Sequence, residues 1–455
     1  ITPDVSTFPK VNPLWSPRVG FNWDAKGNRT TQVRGGTGIF SGRIPFVWLS
    51  NQVNGSGVVR GGLGYEGDDV EDAFGPNYVF NPDVTFGNPE NPGQSLSNEL
   101  NLTDRDFKLP QVWRTNLAVD QVLPFGIIGT MEFIYSRDVS TPIAYNPVLR
   151  TPDGTLSGPD TRPFWNGTNY SNDPDFRNVF YLTNARRKAD YYSFTAQLQK
   201  QFDNGFNTMI AYTRSRSRDL DAAGGSQAIS LWPATVQVDR NNPDLSFAEF
   251  DIPNRLIGSI SYQTDNTTIS IFYEGADAGR FSYTYSGNFG DASNRLMYIP
   301  NNANELVFQQ FTLNGRVVTP AEQAALLDAY IDQDEYLSAN RGKIAERNGA
   351  LRPWVNRFDL RITEDLVLSK DSKNKLQLSI DILNVGNLFN SEWGIQRFAF
   401  QNNLLNYRGV NAQGQPQYRL NTVPGTSEFP TETFRTSTSL GDTWRMQVGV
   451  RYIFN

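Results

Sequence analysis

The last strand-like segment shows the clearest alternation of apolar and polar residues in the chain. Between residues 444 and 454, six apolar side chains share one parity, and Trp444 and Phe454 stand at the two ends of that face. The other parity carries two arginines, a glutamine and a glycine, and only Ile453 breaks the pattern. Successive strand residues point to opposite faces, so this pattern predicts one apolar and one polar face. Aromatic residues at both ends of the apolar face are typical of a strand that faces lipid.

The same alternation recurs along the chain and predicts about eleven strands. Leu376, Leu378 and Ile380, for example, alternate with polar residues. Tight turns such as the one at Asp203-Asn204-Gly205 join the segments in pairs. The predicted strands lie near residues 15–24, 30–41, 109–123, 127–142, 189–202, 206–218, 252–264, 267–285, 352–369, 375–388 and 443–454.

The connections between these segments are unequal in length. Short turns alternate with long loops rich in Gly, Asn, Pro and Asp, near residues 42–107, 143–188, 219–250, 286–350 and 390–442. Outer-membrane barrels have short turns on the periplasmic side and long loops outside. A β-sandwich or a propeller shares the composition but has no reason to keep this asymmetry. The predicted fold class is therefore all-β, a transmembrane antiparallel β-barrel with long extracellular loops.

The fourth long loop is predicted to contain a helix. Thr319 is a suitable N-cap before Pro320 at the first helical position. Ala324, Leu327 and Ile331 then recur at helical spacing. A helix that packs on its own loop is favoured over a functional lid.

An odd strand count predicts an incomplete barrel. Single-chain bacterial barrels have an even number of strands, with both termini in the periplasm. Eleven strands would leave two unpaired edges at membrane depth, which hydrocarbon does not tolerate. The sequence is therefore expected to be the C-terminal part of a larger barrel. The lack of an initiator Met and of a signal peptide agrees with a fragment or a processed chain.

The composition excludes several classes of function. The 455 residues include no His and no Cys, which rules out Ser-His-Asp and Cys-His nucleophilic pairs, zinc-finger clusters and disulfides. The net charge of -6 argues against a nucleic-acid surface. Nothing isolates one catalytic carboxylate pair among the 47 acidic residues. We therefore expect neither an enzyme nor a cofactor.

Several long motifs carry a resemblance to a known family. They are SPRVGFNWD and TQVRGGTGIFSGRIPFVWLSNQ within 16–52, YYSFTAQLQKQFDNGFNTMIAYTRSRS at 191–217, FSYTYSGNFGDASNRLMYIP at 281–300, RGKIAERNGALRPWVNRFDLRI at 341–362, LQLSIDILNVGNLFNSEWG at 376–394 and WRMQVGVRYIF at 444–454. These motifs resemble TonB-dependent outer-membrane receptors, most of all the Oar-like group, which carries a carboxypeptidase-regulatory-like domain at its N-terminus. The family's barrel has 22 strands, so the resemblance implies that the eleven strands here are its second half.

This resemblance implies energy-coupled uptake of a bulky ligand, a peptide or a glycan, across the outer membrane of a Gram-negative bacterium. Residues 1–455 would supply part of the barrel wall and the outer loops. The family's plug domain and TonB box do not occur in this sequence. The expected partners are therefore the first barrel half, the plug, the TonB complex through the plug, membrane lipid and a surface lipoprotein. The alternatives are a surface scaffold, a component of a secretion or adhesion complex, or a passive pore.

Charged residues on the predicted lumen face are the first site candidates. The favoured interpretation is a structural ladder of cross-strand ion pairs or a contact with the plug, and a substrate path is the alternative. These candidates are Arg357, Asp359, Arg361, Asp381, Arg445 and Arg451.

Loop tryptophans are the candidate ligand-binding residues. Exposed Trp side chains can stack on sugars or anchor peptides, although packing between loops or a place at the membrane rim is favoured. The four are Trp48, Trp165, Trp232 and Trp393.

An acidic run in the first long loop is a weak candidate for a Ca²⁺ site. Clustered carboxylates can supply oxygen ligands, but the spacing does not fit the twelve-residue calcium loop. A solvated acidic loop is favoured, so no metal site is predicted. The residues are Asp68, Asp69, Glu71 and Asp72.

Overall fold

The computed structural model describes residues 8–54, 99–149, 151–165, 178–220, 230–232, 235–287, 295–367 and 374–454. In this part of the chain, no helix is long and apolar enough to cross a membrane. The dominant element is one large antiparallel sheet.

Eleven strands form this sheet, and each pairs with the next strand of the sheet along the chain. The predicted strand count and the all-β class are confirmed. A two-residue strand, Ser246–Phe247, pairs with Arg218 and Asp219 outside this path. The strands are β1 (Arg18–Asp24), β2 (Thr31–Ser41), β3 (Gln111–Val122), β4 (Ile128–Ser140), β5 (Asp190–Gln201), β6 (Phe206–Asp219), β7 (Asn254–Gln263), β8 (Thr267–Asp277), β9 (Trp354–Val367), β10 (Lys375–Leu383) and β11 (Arg445–Ile453).

Short and long connections alternate strictly along the sheet. Because all neighbouring strands are antiparallel, the five short turns lie at one end of the sheet and the five long loops at the other. The turn between β5 and β6 needs glycine, since Gly205 has a φ of 90° and an added Cβ would overlap the carbonyl oxygen of Gln263. We call the two ends the short-turn end and the long-loop end.

Apolar side chains line one face of the sheet from end to end. Leu360 pairs with Ile271 on β8 and with Ile382 on β10. On the last strand, Val448 and Val450 are each 67% exposed. No second layer covers this face among the described residues, and so large an apolar surface is unfavourable in water. The face suits hydrocarbon, as the alternation predicts.

The opposite face carries ladders of charged and hydroxyl side chains. Arg34 Nε lies 2.9 Å from an Asp120 oxygen, and its Nη1 lies 3.5 Å from Glu132 on the next strand. Arg255 and Glu274 form a similar pair at 2.6 Å. These cross-strand pairs satisfy the charges of a wet inner wall.

The sheet is open in the described residues. β1 pairs only with β2, and β11 pairs only with β10. Each outer strand therefore presents a row of main-chain N–H and C=O groups without a strand partner in this part of the chain.

In the described residues, the long loops contain four helices and several short strands. α2 begins as predicted, because Thr319 Oγ1 accepts a hydrogen bond from the N–H of Glu322 at 3.2 Å, and Ala324, Leu327 and Ile331 are buried. The helices are α1 (Val47–Asn54), α2 (Pro320–Gln333), α3 (Glu335–Ala339) and α4 (Val385–Phe389). Short 3₁₀ turns occupy Pro124–Gly126, Ala303–Glu305 and Leu440–Asp442. The short strands are Glu99–Thr103, Pro142–Tyr145, Gly154–Thr155, Pro163–Phe164, Asn178–Asn184, Arg280–Phe281, Tyr298–Ile299, Val307–Phe308, Phe311–Leu313, Arg316–Val318, Lys343–Ile344, Ala350–Leu351, Arg397–Ala399, Leu405–Val410, Pro416–Leu420 and Phe434–Thr436.

Adjacent residues on β10 test which face contacts lipid. Ile380 pairs with Ile362 and Val448 on the apolar face, whereas Ser379 points to the polar face. We expect Ile380→Arg to destabilise the folded, lipid-inserted protein by about 2–4 kcal/mol, because a lipid-facing guanidinium loses its hydration. Urea unfolding in lipid vesicles measures this cost. Ser379→Arg is the control, and equal costs for the two variants would contradict the assignment of the faces.

Candidate functional site in the long loops and on the polar face

The long loops pack into a folded unit with its own apolar core. Tyr283, Tyr285, Met297, Ile331 and Tyr418 have at most 2% of their surface exposed. They come from the fourth and fifth loops, and Leu156 of the second loop joins the same cluster. We call this unit, together with the rest of the five long loops, the loop assembly.

A second apolar cluster connects the first three loops. Its largest members are Trp48, Phe107, Phe180 and Trp232, each at most 5% exposed. The rings of Phe180 and Trp232 lie 6.2 Å apart between centroids. The five long loops therefore all contribute to buried clusters.

A buried ion pair links the second, fourth and fifth loops. Arg162 Nε lies 2.8 Å from an Asp160 oxygen, and both side chains are at most 1% exposed. Arg162 Nη1 also donates to the carbonyl of Leu296 at 2.6 Å, and the guanidinium stacks over the ring of Tyr285. The hydroxyls of Tyr285 and Tyr418 are 3.2 Å apart. Removing one partner would leave the other charge buried and unpaired, which would lower the folding stability by about 3–5 kcal/mol.

Asp334, at the end of α2, is the second buried polar centre. Its Oδ2 accepts hydrogen bonds from Tyr283 and Thr433, both at 2.6 Å, and its Oδ1 accepts one from the N–H of Leu337 at 2.7 Å. Burial and the nearby carboxylate raise the pKa of Tyr283 far above its usual value. This carboxylate thus holds two loops and two helices together.

Three of the four loop tryptophans are buried, which agrees with the favoured interpretation of packing between loops. Trp48, Trp165 and Trp232 are only 5%, 7% and 1% exposed, so their rings pack the loops rather than offering stacking surfaces. Trp232 Nε1 donates to Asn241 at 2.8 Å. Trp393 is 57% exposed.

Four of the six charged candidates on the polar face already have protein partners. Arg361 lies 3.4 Å from Asp381, and Arg357 lies 3.3 Å from Asp442. Asp359 accepts a hydrogen bond from the N–H of Asn384 at 2.7 Å. These contacts agree with the favoured interpretation of a structural ladder. A contact with a plug and a substrate path both remain predictions.

The two remaining candidates, Arg445 and Arg451, lie on the outermost strand. Both are exposed, and with Arg361 and Asp381 they line a groove of about 620 Å³. This groove borders the open edge of β11, so its final shape depends on what pairs with that edge.

Asn384 anchors the chain where it leaves β10, a role that the alternation of residues did not indicate. Its backbone is left-handed, with a φ of 53°, and its Nδ2 donates to the carbonyls of Gly394 and Asp442. Asn387 continues the anchor, since its Oδ1 accepts from the N–H of Trp444 at 3.1 Å. Asparagine tolerates a left-handed backbone. The Asn-rich run in motif 376–394 is the sequence feature that could have indicated this role.

A pocket of about 380 Å³ lies where the polar face meets the loop assembly. The guanidinium of Arg352 lines it and makes no side-chain hydrogen bond or ion pair in the described part of the chain, although its Nε is shielded from solvent. Phe250, 88% exposed, adds an apolar wall. An uncommitted guanidinium beside an exposed ring can hold an anionic group attached to an apolar one. Other lining residues are Glu249, Ile252, Glu274, Asp277, Arg280 and Arg357.

The described residues contain no group of three or more acidic side chains placed to hold an ion. Asp68, Asp69, Glu71 and Asp72 lie outside the described residues, so the weak Ca²⁺ candidate stays a prediction.

Comparison with protein families gives one match over most of the chain. The model described as "outer membrane beta barrel domain" matches residues 4–393. No curated protein matches the sequence.

Among solved structures, the chain is similar to outer-membrane transporters and receptors. It covers 40% of the outer membrane transporter YddB from Escherichia coli, with 11% identity over 95% of this chain and a TM-score of 0.44. It covers 35% of the FrpB iron transporter from Neisseria meningitidis, with 10% identity over 82% of this chain and a TM-score of 0.36. It covers 38% of a mutant ferric enterobactin receptor, PfeA, from Pseudomonas aeruginosa, with 10% identity over 89% of this chain and a TM-score of 0.40. The chain thus spans less than half of each.

Gly394 tests the anchor at the end of β10. It has a φ of 68°, and an added Cβ would overlap the side chain of Asn384. Gly425 is the matched control, with a φ of 77° and open space around it. Both alanine substitutions should lower the folding stability by about 1–2 kcal/mol, because alanine disfavours a left-handed backbone. Only Gly394→Ala should lose about 1–3 kcal/mol more, because its Cβ overlaps the side chain of Asn384. Thermal unfolding with limited proteolysis of loop five measures the difference. Equal losses of stability in the two variants would contradict the role of Asn384 as an anchor.

Buried tyrosines predict that the loop assembly loses stability at alkaline pH. Burial and a hydrogen bond to Glu305 raise the pKa of Tyr298 to about 12, and burial raises the pKa of Tyr407 to about 12. An unfolded tyrosine has a pKa of about 10, so this stabilisation is complete below about pH 10 and is lost as the pH rises through about 12. Tyrosinate absorbance and protease sensitivity, measured together, follow the change.

Tyr298→Phe supplies the comparison for that titration. It removes one ionisable hydroxyl, so the loss of protease resistance should become shallower between about pH 10 and 12. An unchanged slope would mean that Tyr298 ionises as freely in the folded loop assembly as in the unfolded chain.

Proposed function

We propose that this chain forms part of the wall and the outer loops of an outer-membrane transporter. It belongs to the family of outer membrane β-barrel domains. In this proposal the transporter takes up a bulky ligand, a peptide or a glycan, and draws energy from the TonB complex. The resemblance of the motifs to TonB-dependent receptors of the Oar-like group supports the energy coupling.

The observation that carries the proposal is the open, two-faced sheet. Eleven strands combine an apolar and a polar face, and neither β1 nor β11 has an outer partner in the described residues. Main-chain groups at such edges need partners within hydrocarbon. Further strands of a larger barrel would supply them, and the polar face would then line a lumen wide enough for a plug or a bulky ligand.

The long loops would form the capture surface on the outside of the cell, with the short turns in the periplasm. The pocket beside Arg352 would receive a carboxylate of the ligand, and exposed Phe250 would contact an apolar side chain, a combination that favours a peptide over a neutral glycan. Trp393 remains a second candidate contact. A plug, and through it the TonB complex, would be the moving partner, and a surface lipoprotein would sit over the loops.

A surface scaffold is the alternative that one observation favours. The loop assembly has two buried apolar clusters and the buried Asp160–Arg162 pair, so its loops are not free to fold over a ligand independently. A scaffold in a secretion or adhesion complex would need this rigidity and no transport.

Depletion of a mixture of peptides and oligosaccharides from the medium tests the proposal in intact cells. We expect cells that carry the protein to remove a subset of acidic peptides, and cells that lack TonB to remove none. Mass spectrometry of the medium measures both. Continued depletion without TonB would favour a passive pore, and no depletion in either strain would favour the scaffold.

Arg352→Gln and Arg352→Lys separate capture from barrel assembly in the same experiment. Losing the charge should lower peptide uptake about tenfold, equivalent to about 1.4 kcal/mol of binding, while the lysine variant keeps part of it. The amount of folded protein in the outer membrane should be unchanged for both. Full uptake by Arg352→Gln would remove this pocket from the proposal.

A further inference from the structure

Four arginines share the apolar face of the sheet, although the ladders of charge lie on the opposite face. They are Arg137 on β4 and Arg214, Arg216 and Arg218 on β6. Arg137 has the parity of Phe133, which is 44% exposed, and the other three have the parity of Ile210, which is 52% exposed. A charge on the lipid-facing side of a barrel is tolerated only near the membrane interface. The position of these arginines along their strands therefore matters.

All four arginines lie near the long-loop end. Arg137 precedes the last residue of β4 by three positions, and Arg218 is next to the last residue of β6. β6 advances about 33 Å between Phe206 and Arg216, at ~3.3 Å for each of ten residues. A strand tilt of about 40° converts this length to a height of about 25 Å, which is the height of the apolar band of outer-membrane barrels. The arginines thus lie where hydrocarbon gives way to headgroups.

One carboxylate serves two of these arginines. Asp190 Oδ2 lies 3.4 Å from Arg216 Nη2, and its Oδ1 lies 2.9 Å from Arg218 Nη2. In the strand register Asp190 also lies directly between Arg137 and Arg218. Arg137 is exposed, and its side chain makes no hydrogen bond or ion pair in the described part of the chain. This part of the face therefore carries an excess of positive charge.

The fourth arginine has a neutral partner. Arg214 Nη1 donates to Asn254 Oδ1 at 2.7 Å, and Asn254 Nδ2 donates to Asp277 at 2.9 Å. Two carboxylates, Asp190 and Asp277, thus face four guanidiniums. We call the four arginines together with Asp190 the arginine patch.

Aromatic rings lie beside the arginine patch. Trp113 is the cross-strand partner of Arg137, is 41% exposed, and has its ring 5.7 Å from that of Tyr135 in an edge arrangement. The guanidinium of Arg216 lies 4.9 Å from the ring of Tyr192. An aromatic ring packs against the apolar face of a sugar, and a guanidinium binds phosphate through paired hydrogen bonds. The combination suits a sugar that carries phosphate.

We propose that the arginine patch binds the phosphorylated sugar headgroup of a glycolipid of the lipid A type. With the long loops outside, the patch faces the outer leaflet, which in a Gram-negative outer membrane consists of this class of lipid. Phosphate pairs with Arg137 and Arg218, the sugar packs on Trp113, and the acyl chains lie along the apolar face. The inference rests on the proposed orientation of the barrel. Because lipid binding is measured on purified protein, its failure is distinct from a failure of uptake.

Arg137→Gln tests the arginine patch, because it removes a charge that has no partner within the described residues. Arg114→Gln is the matched control, since Arg114 is an exposed arginine at the same end of neighbouring β3 but on the polar face, paired with Ser136. The protein is purified from outer membranes in mild detergent and titrated with diphosphoryl lipid A, and native mass spectrometry counts the bound lipid. We expect Arg137→Gln to weaken binding about tenfold, equal to about 1.4 kcal/mol, and Arg114→Gln to leave it within about twofold.

The number of phosphates separates recognition of the headgroup from general attraction between charges. The native protein should bind diphosphoryl lipid A more tightly than monophosphoryl lipid A with the same acyl chains, and more tightly than phosphatidylglycerol. Arg137→Gln should reduce both differences, while heat-modifiable migration in electrophoresis confirms that each variant is folded. Equal affinity of the native protein for lipid A and phosphatidylglycerol, or equal losses in Arg137→Gln and Arg114→Gln, would overturn the proposal.

Discussion

Main-chain hydrogen bonding in a medium without water is the constraint on which this structure depends. Each strand of the sheet finds its partners in its immediate sequence neighbours, so every interior strand from β2 to β10 is satisfied on both sides. This pairing requires antiparallel strands and short turns at one end. It also fixes the register that aligns Leu360, Ile271 and Ile382 into one apolar face. The outer edges of β1 and β11 have no strand partner in the described residues, and the proposed larger barrel would meet the same constraint there.

Once the strand pairing is set, only the connections at one end of the sheet can be long. The short-turn end is closed by connections of a few residues, so the extra chain length accumulates at the long-loop end. There the loops face water and must bury their own apolar side chains to stay ordered. They do so in the clusters around Tyr283 and Trp232, and buried contacts such as Asp160–Arg162 set how the loops meet. The loop assembly is thus a water-soluble fold built on a membrane sheet.

The sequence predicts the sheet far better than the loops because alternation is a local property. Six apolar residues of one parity in 444–454 suffice to identify β11, and α2 follows from Thr319 and Pro320 alone. The burial of Trp232 depends instead on Phe180, more than fifty positions away. The pocket at Arg352 likewise arises where distant loops meet β9. The sequence indicated Trp232 as a candidate but not Arg352, and it could not predict the contacts of either residue.

The rigidity of the loop assembly limits how any ligand could be handled. Arg162 joins the second loop to the carbonyl of Leu296 in the fourth, and Asp334 joins the fourth loop to Thr433 in the fifth. Breaking either centre would leave a buried group unpaired at a cost of several kcal/mol. Few ligands bind differentially enough to meet that cost in more than one place. Under the proposed transport function, capture would therefore take place on a preformed surface. Movement that opens a path would then belong to groups that pack against the polar face, whose side chains are charged and hydroxyl-bearing.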